Sequence, residues 1–290
     1  MTNNSIKLRV GDELLTFREG ERRSVPSDFT DENNVLLMHG FTASSSYMQK
    51  IATDLHDLKL NVFVFEYNSY KGIDCAANSL FQILSDLDRL GNGIINKNKI
   101  NIIAHSMGGL VAKTFCVLYK GSNFVSCIFT IGTPHNGTLA DADYINTLVK
   151  YYETLGGAGA PKGYSKNCRS LLQIMKIDDD QLLQYLDNDN SKLDGIRLGS
   201  ISGGKRFIEI SKTSVFNKIA NNLLQKHLGH EDNDGLVGES SSDWSSNFSG
   251  TTQEPVRHLN TYPEYNDLNH SYLINNHSVS LQIASFVYAK

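Results

Sequence analysis

The run Ile102-Ile103-Ala104-His105-Ser106-Met107-Gly108-Gly109-Leu110 constrains this chain more than any other segment. An apolar stretch suited to a strand buried on both faces stops at a serine flanked by small residues, and a helix-compatible segment begins at once. A strand that turns straight into a helix with Ser106 at the corner has the form of a nucleophile elbow. A serine hydroxyl is a weak nucleophile at neutral pH, so chemistry that uses one exposes it on such a turn, beside a base and at a helix N-terminus. Ala104 stands where glycine is usual; it is still small but tolerates fewer backbone angles. Short strings of this kind also arise by chance, so the reading depends on the other parts occurring in order.

The flanking pattern supports a parallel sheet. Residues 6–17 alternate enough for an early hairpin with Gly11-Asp12 at its turn. Continuous apolar runs at Val35–Met38, Val62–Phe65, Ile100–Ala104 and Ile128–Ile131 predict buried strands. Between them, helical spacing predicts helices over 47–58, 76–90 and 108–120. Strands alternating with helices imply an α/β fold with right-handed crossovers. From 138 to 204 the rhythm changes. Helix-like stretches at 139–155 and 168–187 surround the glycine-rich run Gly156–Gly163, which reads as a hinge in a cap or lid insertion. That run lacks a preceding strand and a Gly-Lys-Ser/Thr ending, so phosphate cradling is the weaker reading. The sheet is expected to resume at Phe207–Ile210, followed by helices over 215–228 and 279–288. The serine-rich 240–249 around Trp244 reads as loop.

With 290 residues and 40% hydrophobic composition, one elaborated domain spanning 1–290 can bury its own core. A net charge of -4 gives no basic footprint for nucleic acid. No apolar run reaches the roughly 18 residues of a bilayer span. Met1 to Gly20 lacks an apolar signal core, so the expected location is cytoplasmic, with export by a leaderless route left open. Cys75, Cys116, Cys127 and Cys168 lack metal-type spacing and read as reduced thiols.

The remaining parts follow in order. His39-Gly40-Phe41 comes just after a strand, where Gly40 lets the Phe41 amide turn inward. The N–H groups of Phe41 and Met107 are the candidate oxyanion donors. Asp232-Asn233-Asp234-Gly235 offers two carboxylates; Asp234 is preferred because the glycine after it allows a sharp turn, and Asp232 is its rival. His270, on a loop before the last helix, can reach back across the sheet as the base. His277, its main rival, should face outward at that helix's start, and His105 should point away from the serine. A zinc reading of His227, His230, Glu231 and Asp232 is disfavoured because Gly229 interrupts the helix and no distant ligand set is evident.

Ala104–Gly109, Gly132-Thr-Pro-His-Asn-Gly137 and Asp234-Gly-Leu-Val-Gly238, with Ser106, Asp234 and His270 in that order, resemble the α/β hydrolases. More closely, they are similar to bacterial triacylglycerol lipases and related lipid acyl hydrolases. The resemblance implies an α/β-hydrolase fold, a mostly parallel sheet flanked by helices with 138–204 as a helical cap. It also implies hydrolysis of a carboxylic ester, with a lipid-like acyl chain, through a Ser106-His270-Asp234 triad and no cofactor. Ser271 and Tyr272 after His270, and Glu239 and Ser240 after the Asp234 segment, depart from the calcium-dependent lipases, so no calcium site or neighbouring disulfide is expected. Phospholipase and thioesterase activity, or a non-catalytic binding protein on the same fold, stand as alternatives. The expected partner is a small-molecule or lipid ester, with peripheral lipid contact open and oligomeric state undetermined.

Overall fold

The computed structural model describes residues 5–10, 13–16, 29, 33–138, 168–176, 181–207, part of 218–228, 232–244, 257–259 and 267–289. Among these, one eight-stranded sheet organises the chain, in the order β2-β1-β4-β3-β5-β6-β7-β8. β1 (Ser5–Val10) and β2 (Glu13–Thr16) form the expected hairpin, with Val10 opposite Glu13. β1 runs antiparallel to β4 (Asn61–Glu66). From β4 onward the ladder is parallel through β3 (Asn34–Met38), β5 (Ile100–His105), β6 (Val125–Ile131), β7 (Arg197–Ile201) and β8 (Arg257–Leu259).

Continuous apolar runs form the central strands because both faces are covered. Every residue of β3 and β5 is buried. Their side chains alternate between two core layers: Leu36, Met38, Ile102 and Ala104 join one, while Val35, Leu37 and Ile103 join the other. The first layer is covered by α2 (Ile73–Leu90) and α4 (Met107–Leu118). The second lies under α1 (Gln49–Asp57) and the last helix, α8 (His277–Tyr288). Each aliphatic or aromatic side chain so buried contributes about 1.5–3 kcal/mol of transfer free energy. A short α3 (Ile94–Asn98), which periodicity does not announce, follows α2.

α2 begins at Ile73, three residues before its periodic pattern suggests. The N–H groups of Gly72 and Ile73 donate to the side chains of Ser170 and Gln173, at 2.9 and 2.7 Å. These caps come from a helix about a hundred residues away, α5 (Arg169–Ile174), and satisfy donors that a helix start leaves open. Arg169 and Gln173 also bind the Asp74 carboxylate.

The stretch 168–187, expected as one helix, divides into α5 and α6 (Leu182–Asn188). Lys176 takes a left-handed conformation at φ 56°, which ends α5. The other expected cap helix, 139–155, and the glycine run lie outside the described residues. The sheet resumes at Arg197–Ile201 rather than at Phe207–Ile210; Phe207 belongs to no strand, and 208–210 lie outside the described residues. β7 is interrupted in composition by Gly199 and Ser200, yet it carries ladder bonds on both sides. The described residues between 218 and 228 are helical. The serine-rich segment is not all loop: α7 (Glu239–Ser242) lies in it, and Trp244 is fully buried.

Candidate active site

β5 ends at His105, and α4 starts at Met107, leaving Ser106 alone between them. Its backbone sits at φ 53°, ψ -130°, a region that costs a non-glycine residue about 1–3 kcal/mol. Surrounding bonds fix that conformation. The Ser106 N–H donates to the Ile131 carbonyl at 2.8 Å, and its own carbonyl accepts from Gly109 N–H and from the Thr133 hydroxyl at 2.8 Å. The serine is half-buried, whereas its neighbours His105 and Met107 are buried.

The neighbouring loop after β3 approaches closely. A Cβ on Gly40 would lie 2.7 Å from Ser106 Cβ and 3.2 Å from its Oγ, so only glycine allows this approach. Phe41 follows, its ring meeting Tyr70 edge-on at 5.3 Å. Met107 is the first residue of α4, so its N–H has no acceptor within the helix. Residues 67–70, which spacing does not single out, hold this loop in place. Tyr67 stacks on His39 at 4.2 Å and donates its hydroxyl to the His39 carbonyl, while Ser69 Oγ accepts from Thr42 N–H at 3.1 Å.

Asp234 and His270 meet across the C-terminal edge of the sheet. His270 Nδ1–H donates to Asp234 Oδ2 at 2.7 Å, with both residues buried. The other carboxylate oxygen accepts from the N–H groups of Leu236 and Val237, at 3.0 and 2.9 Å. The carboxylate therefore fixes its own loop as well as the ring. With hydrogen on Nδ1, the His270 Nε2 is left as an acceptor. The Asn269 side chain takes the N–H groups of Ser271 and Tyr272, stiffening the histidine's loop. Gly132, the residue after the carbonyl that binds Ser106, lies against the pair: a Cβ there would be 2.8 Å from Asp234 Oδ2 and 3.0 Å from His270 Nδ1.

The rivals are placed elsewhere. Asp232 has a side chain 75% exposed and pairs with Arg206 at 2.7 Å. His277 is 61% exposed at the start of α8, 3.6 Å from Asp54. His227, His230 and Glu231 lie outside the described residues, among which no group of three or more His, Cys, Asp or Glu could hold a metal ion. The described cysteines are free, and three of the four are buried. No described helix is long and apolar enough to cross a membrane.

The segment Gly132–Gly137 braces the acid's loop against the elbow. Thr133 holds the Ser106 carbonyl, and His135 N–H donates to the Ser241 carbonyl at 2.8 Å. The His135 ring packs on Trp244 at 4.3 Å. His105 is buried, and its Nε2–H donates to the His270 carbonyl at 2.9 Å.

A mostly parallel sheet flanked by helices, with a strand-to-helix turn at Ser106 after β5 and a last helix behind His270, defines the α/β-hydrolase fold. Within that class the chain belongs to the family described as the PGAP1-like alpha/beta domain, whose profile matches residues 29–228. Triacylglycerol lipases of Pseudarthrobacter phenanthrenivorans and Burkholderia plantarii are each 26% identical to it over 122 residues. That segment is 40% of this chain and 37% and 33% of theirs, so the chain spans about a third of the length of these relatives. Among solved structures, the mature lipase BlEst2 of Bacillus licheniformis matches with a TM-score of 0.59 at 13% identity, covering 89% of this chain and 92% of that one. Phospholipase PlaB of Legionella pneumophila matches with a TM-score of 0.58 at 14% identity, over 89% of this chain and 60% of its own. At such identities the likeness is one of fold.

Proposed function

We propose that the protein is a serine hydrolase that cleaves carboxylic esters with lipid-like acyl chains through Ser106, His270 and Asp234. The observation that carries this reading is the buried 2.7 Å bond between Asp234 and His270, linked through the His105–His270 bond to a strained strand-to-helix turn that carries Ser106. Ser106 Oγ attacks the ester carbonyl carbon while His270 Nε2 takes its proton. The carbonyl oxygen gains negative charge and is received by the N–H groups of Phe41 and Met107. His270 passes the proton to the departing alcohol, leaving an acyl-serine, and then activates the water that releases the acid. Asp234 holds the ring in the Nδ1–H form and stabilises the imidazolium that exists between these steps.

The choice of a lipid ester draws on the named activities of the relatives and on the apolar rings of Phe41 and Tyr70 beside the elbow. The cap expected over 138–204 must end before β7, because Arg197–Ile201 is a strand of the sheet; its described helices α5 and α6 lie between β6 and β7, and α5 is fastened to the start of α2. The test is a series of p-nitrophenyl esters from acetate to palmitate, with Ser106→Ala as control. Turnover that peaks at a medium or long chain and vanishes in the variant is expected. No turnover on any ester by folded protein would overturn the reading.

A further inference from the structure

The residue before the nucleophile joins the base to the elbow. His105 is the last residue of β5, 2% exposed, and its ring lies 4.7 Å from the His270 ring. A carbonyl can only accept, so the 2.9 Å contact with the His270 carbonyl places the hydrogen on His105 Nε2 and leaves Nδ1 bare. That Nδ1 is buried, has no hydrogen-bond partner among the described residues and faces Gly40, where a Cβ would lie 3.4 Å away. Among the described residues, the titratable groups around His105 are Tyr47, at 5.6 Å between rings, His270 and His39. None of them offers it an anion to pair with.

We infer that His105 is a positioning residue: by binding the His270 carbonyl from the position next to Ser106, it sets the distance between nucleophile and base, and it must do so as a neutral ring. This rests on the triad proposed above. His270 is then held at three points: its main-chain N–H donates to the Asp234 carbonyl at 2.8 Å, its Nδ1–H donates to the Asp234 carboxylate, and its carbonyl receives His105. The first two tie it to the acid's loop. The third ties it to the elbow strand, so it is the bond among these that fixes base against nucleophile. Neutrality matters because His270 becomes an imidazolium during acyl transfer, and a second cation 4.7 Å away would oppose that charge. Burial, and next the neighbouring His270, hold the His105 pKa well below the usual histidine range, so the ring remains uncharged while His270 works.

The experiment compares His105→Leu with His105→Gln in full-length protein. Glutamine carries an amide nitrogen at about the reach of imidazole Nε2, without a titrating ring; leucine removes the donor. The readouts are kcat and KM on the best ester, the rate of fluorophosphonate labelling, and the His105 tautomer in wild-type protein by nitrogen-15 NMR. His105→Leu is expected to lose roughly tenfold to a hundredfold in kcat and labelling rate with KM nearly unchanged, as for a misplaced catalytic group. His105→Gln should recover most of that loss. If leucine prevents folding, His105→Asn replaces it, because its shorter amide cannot span to the carbonyl. Equal rates for leucine and wild type, or glutamine as slow as leucine, would overturn the inference. A wild type that takes no label strikes the proposed triad instead, and the tautomer then decides this claim: hydrogen on Nε2 upholds it, and hydrogen on Nδ1 overturns it.

Discussion

His270 and Asp234 bind each other twice, side chain to side chain at 2.7 Å and His270 N–H to the Asp234 carbonyl at 2.8 Å. The second bond does not depend on charge, so the acid can be neutralised without releasing the loop. Asp234→Asn is therefore expected to fold normally and to lose about ten-thousandfold in kcat, the scale found when a triad acid is amidated in serine proteases. Steady-state kinetics at saturating ester checks this. A loss below tenfold would show that Asp234 does not orient the base.

Gly40→Ala adds a methyl group 2.7 Å from Ser106 Cβ, closer than carbon atoms pack, so either the loop or the elbow must move. Displacement by as little as 1 Å can cost about a hundredfold in rate. The expected outcome is a kcat reduced at least about tenfold, with a thermal midpoint lowered by a few degrees. Unchanged kcat would mean that this loop takes no part in placing the oxyanion donors.

His105 also gives stability a pH dependence of definite sign. In the unfolded chain it binds a proton below about pH 6.5. In the folded state burial keeps it neutral well below that. The unfolded state thus holds more protons, and its contribution to stability falls as pH drops below about 6.5. His105→Gln should narrow the difference in urea midpoint between pH 7.5 and pH 5. An equal or wider difference would contradict this.

Lys113, the one charged residue of α4, is 1% exposed and reaches Asp187 on α6 at 2.8 Å. Burial lowers its pKa, and Asp187 partly offsets that. Removing only the carboxylate strands a buried ammonium, so Asp187→Ala should cost about 1–3 kcal/mol, while Lys113→Met should be near neutral. Chemical denaturation of both variants measures the asymmetry; a Lys113→Met penalty larger than that of Asp187→Ala would reverse it.

The sheet's centre was legible because β3, β4 and β5 are buried on both faces and therefore read as runs dominated by apolar residues, with Asn101 the one polar residue inside Ile100–Ala104. The strand-to-helix turn at Ser106 was legible from the small residues around it. β7 was not, since Gly199 and Ser200 interrupt its pattern; Gly199 lies where Phe129 and Phe286 close in. Nor was the start of α2, because Ser170 and Gln173 cap it from a distant helix. Trp244 looked like part of a polar loop, but its ring packs on His135 and helps seat the acid's segment. Spacing along the chain carries periodic burial well and carries no trace of partners a hundred residues away.

Ester cleavage by the proposed route requires Ser106 to be an activated nucleophile. Intact-mass analysis after treatment with a fluorophosphonate, on wild type and Ser106→Ala, addresses it directly. A single adduct on the wild type and none on the variant is the predicted result, together with a loss of ester turnover of at least about a thousandfold in Ser106→Ala. No adduct on folded wild type, or an equal adduct on the variant, would contradict the account.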